Sequence, residues 1–183
     1  QSIERLVLLV EDLDKITQLE TGNEPVDKQP VDVVSLTKAV FEMLEVMASE
    51  KEIKLSFDEK YSEPIWVLAD EKKIHNVLVN LILNSIKYGK QKGTTEVAFD
   101  KTSPQQIIVR INDNGQGIAS EHLPRLFERF YRVDKSGSRK QGGSGLGLAI
   151  VKHIIEAHQQ TIKVESQEGL GTEFSFSLEA LSR

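Results

Sequence analysis

Cysteine is absent from the 183 residues, which excludes disulfides, thiolate metal ligands and a cysteine nucleophile. Long apolar runs are absent too. Leu6–Val10 is as long as any in the chain, against the ~20 residues a membrane-spanning helix needs, and no secretory signal pattern is present. Positive charge is in deficit, with 23 Lys and Arg against 28 Asp and Glu and a net charge of −5. That balance disfavours a general nucleic-acid binder. Histidine is sparse, and His75, His122, His153 and His158 include no pair at metal-ligand spacing, so a zinc site is rejected. No internal repeat occurs, and there is no initiating Met: the chain opens on Gln1, from which a piece of a longer protein is expected.

What remains is ordinary globular material, 39% hydrophobic and 28% charged, enough for one domain with a core and an appendage. Residues 1–20 read as an amphipathic helix, with Ile3, Leu6, Val10 and Leu13 on one stripe. A lone helix of that length is marginal in water and needs a partner. The Thr21–Pro25 stretch and Pro30 stop it, which places a linker at 23–30 between a segment 1–22 and a domain 31–183.

Within 31–183 the expected order is an edge strand at 31–33 and a helix capped by Ser35 with Leu36, Val40, Met43, Leu44 and Met47 inward. A strand around Ile53–Phe57, a strand Ile65–Ala69 and a helix 71–88 capped by Asp70 come next. Two strands around Val97 and Ile107–Ile111 follow, then a short helix near Glu121–Phe127 and a polar, glycine-rich mobile loop at 133–144. The helix after Gly147 and strands carrying Ile162, Val164, Phe174, Phe176 and Leu178 complete a two-layer α/β sandwich, a mixed sheet covered by helices on one face.

Four clusters carry chemistry. In QGGSGLGLAIVKHIIE (141–156), Gly142, Gly143, Gly145 and Gly147 run into an apolar helix. Unpaired N–H groups and the helix dipole make such a junction an anion site, although tight glycine turns also precede ordinary helices. On the helix 71–88, Asn80 and Asn84 share a face between Leu78, Leu81 and Ile82. Asparagine is a poor helix-interior residue; its amide oxygen can ligate Mg²⁺ beside phosphate oxygens, or it can belong to a solvated face. Asp113-Asn-Gly115-Gln-Gly117 follows a strand. The carboxylate can accept an exocyclic amine such as that of adenine, and the same residues also make plain turns. Between Arg125 and Lys140 stand six basic residues against two acidic ones. They suit a polyphosphate, a solvated basic face or a nucleic-acid patch.

In order and spacing together these boxes resemble the ATP-binding catalytic domain of bacterial sensor histidine kinases, in the superfamily shared with gyrase, the ninety-kilodalton heat-shock chaperone and mismatch-repair ATPases. The boxes read NLILNSIKY (80–88), DNGQGI (113–118), LFERFYR (126–132), GSGLGLAI (143–150) and GLGTEFSF (169–176). The resemblance covers roughly 30–183, and residues 1–24 resemble the second helix of the kinase dimerisation bundle. It implies a Bergerat-type sandwich preceded by one N-terminal helix.

By the same resemblance Asn84 ligates Mg²⁺, Asn80 stands beside it, Lys87 reaches the phosphates and Tyr88 packs against the nucleotide. Asp113 binds the adenine amine with Thr172 helping through a water, and Gly115, Gly117 and Ile118 give the ring access. Arg132, Arg139 and Lys140 are candidates for the γ-phosphate, while Gly143, Gly145, Leu146 and Gly147 cradle the triphosphate. Asn80, Lys87 and Arg132 form the catalytic set. Ser85 and Gly89 depart from the usual Ala and Ser or Thr.

The hydrolases of the superfamily carry a glutamate where this chain has Asn80, which cannot take a proton at neutral pH. ATP is therefore expected to be held for transfer rather than hydrolysis. None of the four histidines has the acceptor context, so the acceptor belongs to a bundle helix outside this chain; His153 and His158 read as surface positions and His75 as packed at the base of the asparagine helix. The expected partners are ATP and Mg²⁺, the dimerisation bundle of a homodimer and a response-regulator receiver domain. Nucleic acid is not among them, and contact with a membrane runs only through other parts of a parent in the bacterial inner membrane, with this domain cytoplasmic. The rival reading is a degenerate, non-catalytic nucleotide-binding module.

Overall fold

The computed structural model describes residues 25–133 and 144–181, together with Val10, Leu13 and Thr17. The expected helix 1–20 therefore lies outside the described residues except at those three positions, which are helical, with the Thr17 hydroxyl donating to the Leu13 carbonyl at 2.9 Å. The boundary between segment 1–22 and the linker also lies outside them. Of the expected loop 133–144 only Val133 and Ser144 are described.

Two aspartates set where strands stop and helices start. Strand β1 (Gln29–Asp32) ends on Asp32, which caps α1 (Val33–Glu50) by accepting the Val34 N–H at 3.1 Å. The same carboxylate accepts the Ser35 hydroxyl and the Ile65 N–H, the latter at 3.2 Å, so the cap also ties α1 to the chain entering β3 (Trp66–Ala69). The expected Ser35 cap is thus corrected. Ser35 sits in the first turn, and the stronger anionic acceptor three residues earlier takes the free N–H groups. Gln29 and Pro30, assigned to the linker, are already paired to Ala69 and Leu68 in the sheet. Asp70 caps α2 (Glu71–Tyr88) as expected, accepting from Lys73 N–H at 3.1 Å. At the other end Lys51 Nζ donates to the carbonyls of Ile86, at 3.0 Å, and Lys87, placing a cation on the negative end of the helix dipole.

The sheet has seven strands in the order β1-β3-β7-β5-β4-β2, with β6 (Ile162–Gln167) also paired to β7 (Gly171–Ala180). Strand β2 (Lys54–Phe57) runs parallel to β4 (Thr94–Ser103), and all other pairs, including the hairpin of β4 with β5 (Gln106–Asp113), are antiparallel. Register stacks the inward residues in rows: Val97, Ile111, Phe174 and Val164, then Phe99, Val109, Phe176 and Ile162. Against them pack Val40 and Leu44 of α1, Ile74, Leu78 and Leu81 of α2, and Val151 and Ile155 of α3 (Gly147–Ala157).

Opposite, on the polar face, Arg110 bridges Asp100 at 2.6 Å and Glu173 at 3.5 Å. Helices on one face and charges on the other are the expected two-layer sandwich. Two inward assignments fail: Met43 is 51% and Met47 43% exposed. They lie a residue before and three after Leu44, roughly 60–100° from the narrow stripe that meets the sheet. The expected helix 121–127 is a single 3₁₀ turn, Leu123–Arg125, begun by a proline at its second residue.

Candidate nucleotide site

The loop end of the sheet breaks the apolar pattern. In register with one another, and on the helix-facing side, stand Thr95, Asp113, Thr172 and Ser166 of β4, β5, β7 and β6. Asp113 continues the inward series Ile107, Val109 and Ile111, so strand periodicity alone drives a carboxylate into the space beneath α2. Burial there pushes its pKa above the ordinary carboxylate value, partly offset by the N–H groups of Gly115 and Thr172. The Gly115 N–H donates to Oδ1 at 2.9 Å. A desolvated, oriented carboxylate of this kind strongly prefers a donor.

Ser166 orders this row and carried no signal in the sequence. It accepts the Ile118 N–H at 2.8 Å and donates to the Gly171 carbonyl at 2.9 Å. Its single proton is thereby used, so the Thr172 hydroxyl, 2.8 Å away, must donate to it. The remaining lone pairs of Thr172 are left to face a ligand or water. Only the β6–β7 pairing puts a serine 48 residues from Ile118 in the chain against its amide.

Glycine is demanded at Gly115 by close approach. A Cβ there would lie 2.7 Å from the Tyr88 carbonyl oxygen and 2.9 Å from Asp113 Oδ1. The first glycine box thus crosses directly over the end of α2, bringing Asp113 beside the asparagine helix.

On α2 the two asparagines do different things. Asn80 donates its amide to the Asn76 carbonyl at 3.0 Å and to the Asn76 side-chain oxygen. Its own oxygen covers Gly147, where a Cβ would sit 2.8 Å away. Asn80 therefore braces α2 against the N-terminus of α3. Asn84, one turn on, is half-buried, and its amide has no hydrogen-bond partner among the described residues. An available amide oxygen of this kind fits Mg²⁺, which keeps most of its water and phosphate ligands. Among the described residues no group of three or more His, Asp or Glu side chains forms a cage.

Lys87 is half-buried on the last turn of α2 and Tyr88 is exposed at its end. Gly145 and Gly147 lie at the start of α3, Gly145 with φ +76°. Leu146 between them is wholly buried in the core, so it can meet a ligand through its backbone alone, and its N–H donates to Ser144 Oγ at 3.3 Å. The Phe130 N–H donates to the Gly145 carbonyl at 2.9 Å, although Phe130 is in the left-handed region at φ +62°. Such a backbone is costly for an aromatic residue and persists only where surroundings enforce it. Phe127 packs edge-on to Phe174, with centroids 6.2 Å apart, and Leu126 is buried, so the LFERFYR stretch (126–132) is anchored in the core. Arg132 is half-buried just beyond. Arg139, Lys140 and Gly143 lie outside the described residues.

Two histidine readings change. His158 is buried, not at the surface, and His122 Nδ1 is hydrogen-bonded to the Tyr131 hydroxyl. His75 and His153 are half-buried on their helices.

A sequence model of the family described as "Histidine kinase-, DNA gyrase B-, and HSP90-like ATPase" matches residues 69–182. The sensor histidine kinase WalK of Bacillus subtilis is 32% identical over 177 residues, 96% of this chain and 28% of that protein. Among solved structures, full-length ShkA in complex with AMPPNP matches with TM-score 0.83 and 27% identity over 97% of this chain and 37% of its own. The histidine kinase AdeS of Acinetobacter baumannii matches with TM-score 0.75 and 28% identity over 99% of this chain and 80% of its own. The chain spans less than a third of the length of the Bacillus relative. The mixed sheet with helices on one face is the Bergerat fold of these kinases. With the profile covering more than half of its length, the chain belongs to the family of histidine kinase-, DNA gyrase B- and HSP90-like ATPases.

Proposed function

We propose that this protein is the catalytic domain of a two-component sensor histidine kinase. It binds Mg-ATP and presents the γ-phosphoryl group to a histidine on a dimerisation-bundle helix outside this chain, for relay to an aspartate of a response-regulator receiver domain. The observation that carries the reading is the desolvated Asp113 carboxylate, set in register beside Thr172 at the end of the sheet. Asp113 accepts the adenine amine, and the Thr172 lone pairs accept from a bridging water. Asn84 offers its amide oxygen to Mg²⁺, which when bound neutralises phosphate charge. The α3 N-terminus at Gly145–Gly147 faces the phosphates, with Lys87 and Arg132 as cations. Arg139, Lys140 and Gly143 belong to the same set by family resemblance.

Asn80 is a neutral amide already donating to Asn76, so it cannot activate water and ATP turnover is slow. In the transfer itself an imidazole nitrogen bonds to the γ-phosphorus while the bond to the bridging oxygen breaks, and ADP leaves with the electron pair. The protein contributes positioning and charge stabilisation. No helix among the described residues is long and apolar enough to cross a membrane; the domain works in the cytoplasm of a cell whose parent kinase sits in the inner membrane.

Incubation with γ-labelled ATP tests the reading. The chain alone is expected to stay unlabelled, and an added acceptor bundle to gain acid-labile label. Tight ATP binding with no transfer to any supplied bundle would establish instead the non-catalytic nucleotide-binding module.

A further inference from the structure

His158 closes the C-terminal end of α3 and is 1% exposed. Its Nδ1 lies 2.8 Å from the Ile154 carbonyl oxygen. A carbonyl only accepts, so Nδ1 carries the proton and Nε2 is a bare acceptor. That acceptor takes the backbone N–H of Asp70 at 3.0 Å. Asp70 is the N-cap of α2, and its carboxylate also accepts the Asp27 N–H at 3.2 Å.

The same two helices meet again where Asn80 covers Gly147. Asp70 to Asn80 is about 15 Å of helix, and His158 back to Gly147 is about 16 Å. The helices therefore run antiparallel and are pinned at two points of matched spacing. Between the pins the buried side chains are apolar, Ile74, Val77 and Leu78 on α2, Val151 and Ile155 on α3. Apolar contact is non-directional, and the hydrogen bond to the Asp70 amide is the directional contact at this end.

We infer that His158 is a positioning residue: its bond to the Asp70 amide sets α3 along α2, and so holds the glycine-box N–H groups at the right distance from the Asn84 amide. The inference rests on the nucleotide reading above. Asp113 and Thr172 lie on the sheet and are not carried by this register, so the phosphate side of the site depends on His158 and the adenine side does not. Burial lowers the imidazole pKa, the Ile154 carbonyl and Asp70 act against that, and Lys28 and Lys73 add to it. Lys28 is itself paired with Glu179 at 3.2 Å. Protonation puts a hydrogen on Nε2 facing the Asp70 N–H, and the pin is lost.

The test compares wild type with His158→Leu, which removes the acceptor, and His158→Gln, whose Oε1 can accept from Asp70 and does not titrate. Calorimetry reads Mg-ATP affinity and an NMR titration reads adenosine. His158→Leu is expected to weaken Mg-ATP about tenfold or more and adenosine less than about twofold. His158→Gln is expected to stay near wild type at pH ~7.5, and the wild-type to Gln affinity ratio to fall as pH drops below ~6.5. A folded Leu variant with wild-type Mg-ATP affinity overturns the inference, as does equal weakening of both ligands. Should the Leu variant not fold, the Gln ratio decides, and a ratio flat with pH overturns it. A wild type that binds neither ligand overturns the nucleotide reading instead, and this inference with it.

Discussion

Asp113 is half-buried at the end of β5. Its carboxyl pKa is raised from 3.8 by burial, so ionisation is easier in the unfolded chain. Stability from this group is full below that ordinary value and is lost as pH rises through the folded value. Asp113→Asn is therefore expected to raise the melting temperature at pH ~7 and to leave it unchanged under acid conditions. Asparagine can still accept from the Gly115 N–H, but it turns an amide donor toward the adenine amine. ATP affinity is expected to fall by about two orders of magnitude, since a site built around one hydrogen bond rejects a mismatched partner strongly. Calorimetry and thermal melts at two pH values check both halves; a variant that gains stability and keeps ATP would remove Asp113 from the site. Asn84→Ala is expected to abolish the Mg²⁺-dependent tightening of ATP with the fold intact, because the Asn84 amide has no hydrogen-bond partner among the described residues. ATP titrations with and without Mg²⁺ read it. At this scale the sequence displayed Asp113, Asn80 and Asn84 by type and spacing. It hid Ser166, because a lone serine in a strand looks like any surface residue until pairing sets it against Ile118 and Thr172.

At the scale of elements, α3 begins where it does because Gly147 lets Asn80 close over it. Gly147 does not need a positive φ, so Ala is allowed by the backbone, but its Cβ, 2.8 Å from Asn80 Oδ1, would force that side chain to shift. Gly147→Ala gains up to ~1 kcal/mol of helix propensity and loses a similar ~1 kcal/mol or more to overpacking. Global stability in urea is expected to move little, while ATP affinity falls about tenfold as the helix N-terminus is pushed from α2. An unchanged affinity would show that the Asn80–Gly147 contact does not set the cradle. Boundaries of α2 were legible because period and caps agreed there, whereas the hairpin strands were legible at their apolar centres and run further at both ends. The start of α1 was misread because Ser35 and Asp32 are both capping residue types, and the choice depended on Ile65 arriving from β3 to share the Asp32 carboxylate. Met43 and Met47 were misplaced for a related reason: apolar identity says a side chain can be buried, whereas the narrow contact of α1 with the sheet decides that these are not.

For the whole molecule, acid should weaken the fold through His158. Its pKa is lowered in the folded state, so the stability it contributes is present above the ordinary imidazole value of ~6.5 and is lost as pH falls from there toward the folded value. The denaturant midpoint of wild type is expected to decline over that window more steeply than that of His158→Gln. Parallel curves would show that the imidazole has the same pKa in the folded and unfolded chains.

The sequence by itself determined the two-layer plan, the order of the boxes and the chemistry each can offer, because period-two and helical apolar patterns, caps and glycine clusters act over a few residues. Tertiary structure decided what those residues do together. Strand register lined up Thr95, Asp113, Thr172 and Ser166 from four strands. Helix packing separated Asn80, a brace, from Asn84, whose amide stays available. It also turned His158 from an expected surface residue into a buried link between α3 and the cap of α2. Local sequence carries no record of which distant N–H or carbonyl will lie three ångströms away, and in this protein those distances assign the roles.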